Sequence, residues 1–213
     1  MLFPKIRVLR SHGRQAIPDL DTVELTPKFR GRPVLTAPCD DQTAEAVGRA
    51  AQRCPTGALS AQPFALDLGR CLFCGECARI AQSAIRFTND YRIGSPVREG
   101  QDRIPFDAAQ VRPEIRRFFA EALQLREVSA GGDASVEMEL GATGNVNFDL
   151  GRHGIGFTAS PRHADGVVVS GPVTRNMAEA LEICYDAVAE PKVLVACGTE
   201  ACSGGLFAAS RAI

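Results

Sequence analysis

Eight cysteines stand among 213 residues, and three of them share a spacing that few chemistries use. Cys71, Cys74 and Cys77 form C-x2-C-x2-C. Three thiolates so spaced wrap a tight loop round one corner of a cubane, and a [4Fe-4S] cluster needs a fourth. In chains that hold two such clusters the run is C-x2-C-x2-C-x3-C-P, and the fourth Cys of each run ligates the other cluster. Here the fourth position of the run is Ala81. An upstream run should end in Cys-Pro, and Cys54-Pro55 is there, but its companions at 50, 47 and 44 are Ala50, Val47 and Ala44. The missing thiols all belong to one cluster. The survivors, Cys54, Cys71, Cys74 and Cys77, are the full ligand set of the other, so one [4Fe-4S] cluster is expected. A zinc ion or a structural set of reduced thiols are the alternatives, although zinc favours paired C-x2-C knuckles. Cys39 reads as a free thiol.

The replacements are small and apolar, so they can fill a vacated pocket without burying a polar group. Between Thr43 and Arg53 the chain is Ala-rich and reads as helix. One residue fewer after Ala81 would tighten the turn there. Short apolar runs, Phe64-Ala65-Leu66 and Ala84-Ile85-Arg86-Phe87, read as brief strands. A core this small is marginal without a metal.

Composition bounds the setting of these thiols. With 24 Lys and Arg against 25 Asp and Glu, the net charge is −1, which excludes a broad nucleic-acid surface. Apolar residues make up 45%, normal for a globular chain. No run approaches the roughly 18 to 20 apolar residues of a membrane helix. The start, MLFPKIRVLRSHGRQ, shows no signal-peptide pattern. A cytosolic setting follows as an expectation, and there metal ligation is favoured over disulfides.

Three zones position the chemistry. Residues 1–36 carry seven basic against three acidic side chains and read as an N-terminal extension, either solvated or lying across a partner or an anionic surface. Residues 37–105 hold the metal-ligating cysteines. Residues 106–213 change character. Pro113 to Leu125 places Ile115, Phe118, Phe119, Ala122 and Leu123 at helical spacing. Gly166 to Ser170 reads as a buried strand, Thr174 to Ala189 as a helix with Met177, Leu181, Cys184 and Val188 on one stripe, and Lys192 to Ala196 as a second buried strand. Strand, helix, strand is a parallel βαβ unit with a right-handed crossover. Gly151 to Gly156 has its glycines in the wrong order for a dinucleotide loop, and Cys202-Ser203-Gly204 is no nucleophile elbow. No self-sufficient catalytic site is found.

The second zone resembles a known family. Phe29-Arg30-Gly31-Arg32-Pro33, Cys71-Leu72-Phe73-Cys74-Gly75 and Arg86-Phe87-Thr88 resemble the ferredoxin-like subunit of energy-converting [NiFe] hydrogenases and formate hydrogenlyase. The third zone is similar to the small subunit of those hydrogenases, the family of the 20-kDa subunit of NADH:quinone oxidoreductase (complex I). Its matching stretches are Leu125-Arg126-Glu127-Val128, Glu137-Met138-Glu139-Leu140, Ser160-Pro161-Arg162-His163-Ala164-Asp165, Ser170-Gly171-Pro172-Val173-Thr174-Arg175-Asn176-Met177, Pro191-Lys192 and Ser203-Gly204-Gly205-Leu206-Phe207. The two resemblances imply a fusion of two subunits. They also imply an α+β ferredoxin-like domain followed by an α/β, flavodoxin-like domain that is truncated.

The second family passes electrons through a proximal [4Fe-4S] cluster beside a large partner subunit. The resemblance puts its first two ligands at Asp133 and Val136 and the third at Glu200, while the fourth motif would lie beyond Ile213. No proximal cluster is therefore expected. A makeshift site from Cys197, Cys202, Asp133 and Glu200 is the minor alternative, and Cys184 reads as core. The resemblance implies an iron–sulfur subunit of a complex-I-like or hydrogenase-like membrane-bound assembly, acting as adaptor or electron relay. Its implied partners are a large hydrogenase-like or 49-kDa-like subunit and membrane subunits. Its implied place is peripheral, on the cytoplasmic face, with no membrane span and no nucleic acid.

Overall fold

The computed structural model describes residues 3–13, 17–20, 22–95, 113–120 and 122–210. An exposed helix, α1 (Phe3–His12), comes first. A small α+β unit follows, built from β1 (Pro33–Leu35), α2 (Asp41–Gln52), β2 (Leu59–Ala61), β3 (Phe64–Leu66), α3 (Glu76–Ile80) and β4 (Ile85–Phe87). β1 pairs antiparallel with β4, and β2 with β3. Residues 33–35, assigned to the extension by composition, are thus a strand of this unit. The helix expected over Thr43–Arg53 is α2. Asp40 starts it by accepting the Thr43 N–H at 2.6 Å, and its Ala-rich sequence sustains it. Positions 47 and 50, three apart, face inward together. Val47 and Ala50 are buried with Leu59, Leu66, Ala81, Ala84 and Ile85 in one core. Ala44, at the start of the same helix, is exposed. The turn after Ala81 is tight, because its carbonyl accepts from the N–H of both Ala84 and Ile85.

The second unit holds α4 (Pro113–Phe118), β5 (Leu123–Ser129), α5 (Ser135–Ala142), β6 (Ile155–Phe157), β7 (Gly166–Ser170), α6 (Arg175–Asp186), β8 (Val193–Cys197) and α7 (Gly198–Ser203). Its four strands are parallel in the order β6-β5-β7-β8. This is an α/β sheet whose order reverses between β5 and β7. A second core of Val128, Ala130, Val167, Val169 and Val188 takes the Met177, Leu181 and Cys184 stripe of α6, so Cys184 is a packing residue. The Asp165 carboxylate accepts the Gln124 N–H at 2.7 Å, and its carbonyl accepts the Val193 N–H, pinning β5, β7 and β8 at one end. Lys192 donates to the carbonyls of Tyr185 and Val188 and caps α6.

Three expectations are corrected. The helix expected from Pro113 to Leu125 stops at Phe118, and Leu123 and Leu125 belong to β5. Pairing with β6 on one side and β7 on the other outweighs the helical spacing of the apolar residues. The strand expected at Lys192–Ala196 runs from Val193 to Cys197, and it is not buried: it closes the sheet edge, with Leu194 58% exposed. Cys202 lies in α7, not in a loop. The expected boundary at 105/106 falls outside the described residues. Among the described residues, no helix is long and apolar enough to cross a membrane.

Candidate metal centre

The β2–β3 hairpin brings distant cysteines together. Leu59 pairs with Leu66, and the Asp67 N–H donates to the Ala58 carbonyl, so the chain on either side of the hairpin runs side by side. Thr56 closes the approach by donating its hydroxyl to the Arg70 carbonyl at 2.7 Å. Cys54 thereby meets the loop that begins at Cys71. Cys54, Cys71, Cys74 and Cys77 line one small cavity with Ala50, Leu66 and Phe87. Cys71 is buried, Cys54 and Cys77 are half-buried, and Cys74 is exposed. Cys39 is exposed and lies apart from them, its thiol 3.5 Å from the Asp40 carboxylate.

Burial and the neighbouring thiols act together on Cys71 and Cys77. Burial pushes the Cys71 thiol up to about 11, and the charges of Cys77, Cys54 and Cys74 add to the shift. The Phe73 N–H, aimed at the Cys71 sulfur at 3.3 Å, works against it. Burial also raises Cys77, with Cys74 and Cys54 contributing. At Cys54 burial raises the thiol, but N–H groups of Leu59, Thr56 and Ala58, with the Thr56 hydroxyl, outweigh it and lower the net value.

Two metal chemistries make different demands on such a donor set. Zinc needs all its donors about 2.0–2.3 Å from one point. Among the described residues, no three His, Cys, Asp or Glu side chains are gathered to hold a metal ion. A cubane instead places each thiolate on a different iron, so its donors stand round a space. Four thiols round one largely apolar cavity, with the Phe73 N–H aimed at the Cys71 sulfur, offer the donor types that second arrangement needs.

The second unit has its own candidate place, the loops that follow β5, β7 and β8 where the sheet order reverses. There the Ala130 N–H donates to the Ser170 carbonyl, and the Thr174 N–H donates to the Ala130 carbonyl. Gly171, at φ +71°, lets the two loops touch, since a Cβ there would strike the Gly132 backbone. Asp133 accepts the Ser135 N–H at 3.0 Å, and the Ser135 side chain and backbone together lower its pKa. Val136 packs over Gly198, and the Glu200 carboxylate lies near Gly132. The buried Ser170 hydroxyl lies within donating distance of Glu127 (2.8 Å) and Glu137 (2.9 Å), and the Ser129 hydroxyl donates to Glu137 at 2.5 Å. Burial raises the Cys197 thiol, and the charges of Cys202, Glu127 and Glu137 raise it further. The Cys202 thiol points to the Ala196 carbonyl at 3.6 Å. The makeshift set of Cys197, Cys202, Asp133 and Glu200 does not gather into a metal-holding group. His163 is exposed at the end of a short 3-10 turn.

Sequence reasoning missed the residues that brace the first site. Thr56 and Thr199 are examples: the Thr199 hydroxyl donates to the Cys71 carbonyl at 3.3 Å and joins the two units. Their contacts are to backbone carbonyls, which leave no mark on residue spacing.

Part of the chain has known relatives. Residues 134–213 match the family described as NADH ubiquinone oxidoreductase, 20 Kd subunit. Similar proteins include the B subunit of NADH-quinone oxidoreductase from Desulfovibrio desulfuricans, 49% identical over 76 residues, covering 36% of this chain and 42% of that one. The corresponding subunit from Heliobacterium modesticaldum is 41% identical over 85 residues, covering 39% and 49%. The one from Nocardia farcinica is 47% identical over 77 residues, covering 36% and 42%. The chain spans less than half the length of these relatives. Among solved structures, a chain of the membrane-bound sulfane sulfur reductase, an archaeal respiratory membrane complex, is similar at 24% identity and a TM-score of 0.39, over 46% of this chain and 54% of that one.

Proposed function

We propose that the chain is an iron–sulfur subunit of a complex-I-like or [NiFe]-hydrogenase-like membrane-bound oxidoreductase. In this reading it fuses a ferredoxin-like domain (37–105, extended here to include β1) to an α/β domain of the 20-kDa type (106–213). One [4Fe-4S] cluster sits on Cys54, Cys71, Cys74 and Cys77, and there is no proximal cluster. The observation that carries the reading is the shared cavity: four cysteines up to 23 positions apart line it, while Val47, Ala50 and Ala81, where the twin cluster's ligands would be, lie in the packed core.

When bound, such a cluster supplies one-electron transfer at a potential set by burial and N–H···S bonds. The chain's own part is to shape that environment. Leu66, Phe87 and the burial of Cys71 keep water from one side. The N–H groups at Cys54 and Cys71 favour the thiolate state that a metal needs. The partners of this reading are a large hydrogenase-like or 49-kDa-like subunit and membrane subunits, with the chain peripheral on the cytoplasmic face. The exposed Leu194 and Val195 of β8, with Leu206 beyond, supply apolar surface for such contacts.

A second reading keeps the assembly but makes the metal a staple. What favours it is the set of side chains at Asp133, Val136 and Glu200, which offer no thiolate for a next relay. The chain purified without oxygen should hold about four iron and four sulfide. Cys54→Ala should abolish both, and Cys39→Ala should leave them unchanged. Iron that survives Cys54→Ala but not Cys39→Ala would overturn the ligand assignment. A cluster that cannot be reversibly reduced would decide for the staple.

A further inference from the structure

Arg30 lies outside every metal-ligand spacing, yet the fold aims it at the metal-binding loop. The backbone that follows it is fixed. The Gly31 N–H donates to the Thr88 carbonyl at 2.8 Å, the Arg32 N–H donates to the Asp90 carbonyl at 2.7 Å, and the β1–β4 ladder begins directly after. From there the Arg30 Nε donates to the carbonyl of Phe73 at 2.5 Å, between Cys71 and Cys74. Phe73 sits at φ +52°, and its ring meets Phe87 with centroids 6.0 Å apart. The Arg30 side chain then lies over Gly75, where an added Cβ would stand 3.1 Å from its Cδ. Gly75, at φ +81°, is therefore needed both for its backbone angle and for the arginine that covers it. The loop is clamped between Arg30 and Phe87.

We propose that Arg30 is a positioning residue of the four-thiol cavity: it anchors the Phe73 carbonyl and holds a fixed positive charge beside the loop, raising the reduction potential of the cluster bound there. The inference rests on the cluster reading above. The physical reason is simple. Reduction adds an electron to a group already surrounded by four thiolates, and a nearby cation favours the more negative state. Arginine serves because its guanidinium never loses its proton in a protein. It is exposed, so water and salt moderate the effect.

The test uses the full chain with its cluster, by redox titration followed by electron paramagnetic resonance, beside iron analysis. Arg30→Gln should keep about four iron per chain and lower the midpoint. A roughly threefold fall in the reduced-to-oxidised ratio at fixed potential corresponds to about 28 mV for a one-electron couple. Arg30→Lys should restore most of the shift. Arg30→His makes a second, internal measurement: its midpoint should drop as pH rises through about 6.5, where the imidazole loses its charge, beyond any slope of the wild type. Midpoints unchanged in Arg30→Gln, or shifted equally in Arg30→Gln and Arg30→Lys, would overturn the proposal. So would loss of iron from all three variants, which would make Arg30 a strut. A wild-type chain without iron overturns the cluster reading itself, and the two failures are told apart by that iron count.

Discussion

The small unit and the parallel sheet differ at the places where the resemblance would put further thiols. In the small unit, the places where a second ligand set would stand hold Val47, Ala50 and Ala81, all buried against Leu66 and Ile85, with only Ala44 left outside. In the sheet, the positions that the resemblance assigns to cysteine hold Asp133, Val136 and Glu200, among Ser129, Ser170, Glu127 and Glu137. The first space is closed by packing. The second holds hydrogen bonds and carboxylates beside Val136 at the ends of strands, with Asp133 exposed and Ser170 buried. An interior without water tolerates only an apolar replacement, whereas a loop cluster at a sheet's end can be rebuilt with polar groups.

That contrast can be broken by substitution. Leu66→Ala, at a fully buried position between α2 and the thiol cavity, should destabilise the chain by about 2–5 kcal/mol. Leu194→Ala, on the exposed edge strand, should stay within about 0.5 kcal/mol in the isolated chain. Urea unfolding of the two variants compares them directly; equal losses would mean that β8 is covered in solution. An intermediate effect is expected at the polar site. Ser170→Ala removes the buried hydroxyl that faces both Glu127 and Glu137, and should cost about 1 kcal/mol in the same assay.

A further effect is on pH. In the metal-free chain Cys71 titrates at about 11, above its ordinary value near 9, because burial favours the neutral thiol. The folded chain then binds the proton more tightly than the unfolded one. Its contribution to stability is fully present below about pH 9 and is lost as pH rises toward 11. Cys71→Ala should flatten that alkaline fall, measured by thermal unfolding of the metal-free chain across this range. A fall that persists unchanged would place its origin elsewhere.

Much of the architecture was legible because it repeats a local pattern. The Ala-rich stretch became α2, and the Val167-Val168-Val169 run became β7. The α6 stripe of Met177, Leu181 and Cys184 found its core, and the crossover from β7 to β8 is parallel. Legibility failed where two patterns overlapped. Leu123 fits a helical stripe with Phe119, yet it also begins β5, and only the neighbours β6 and β7 choose between them. The exposure of β8 was hidden for a related reason. Val-Leu-Val-Ala reads as buried on both faces, but burial depends on what lies beside a strand, and among the described residues β8 ends the sheet.

For the candidate site the division is sharp. Spacing grouped Cys71, Cys74 and Cys77, because ligands on a single loop must stand close, and the exchange of fourth ligands between two runs added Cys54 to the set. It also marked positions 44, 47, 50 and 81 as pocket-filling, because small apolar side chains carry no buried polar cost, and the fold buries all but Ala44. Only the folded chain decided what surrounds the thiols: the Thr56 bridge that draws Cys54 in, the Thr199 contact from the sheet, and the Arg30 clamp on Phe73. Each of these is a side chain meeting a backbone carbonyl far along the chain, and a carbonyl has no residue type to read.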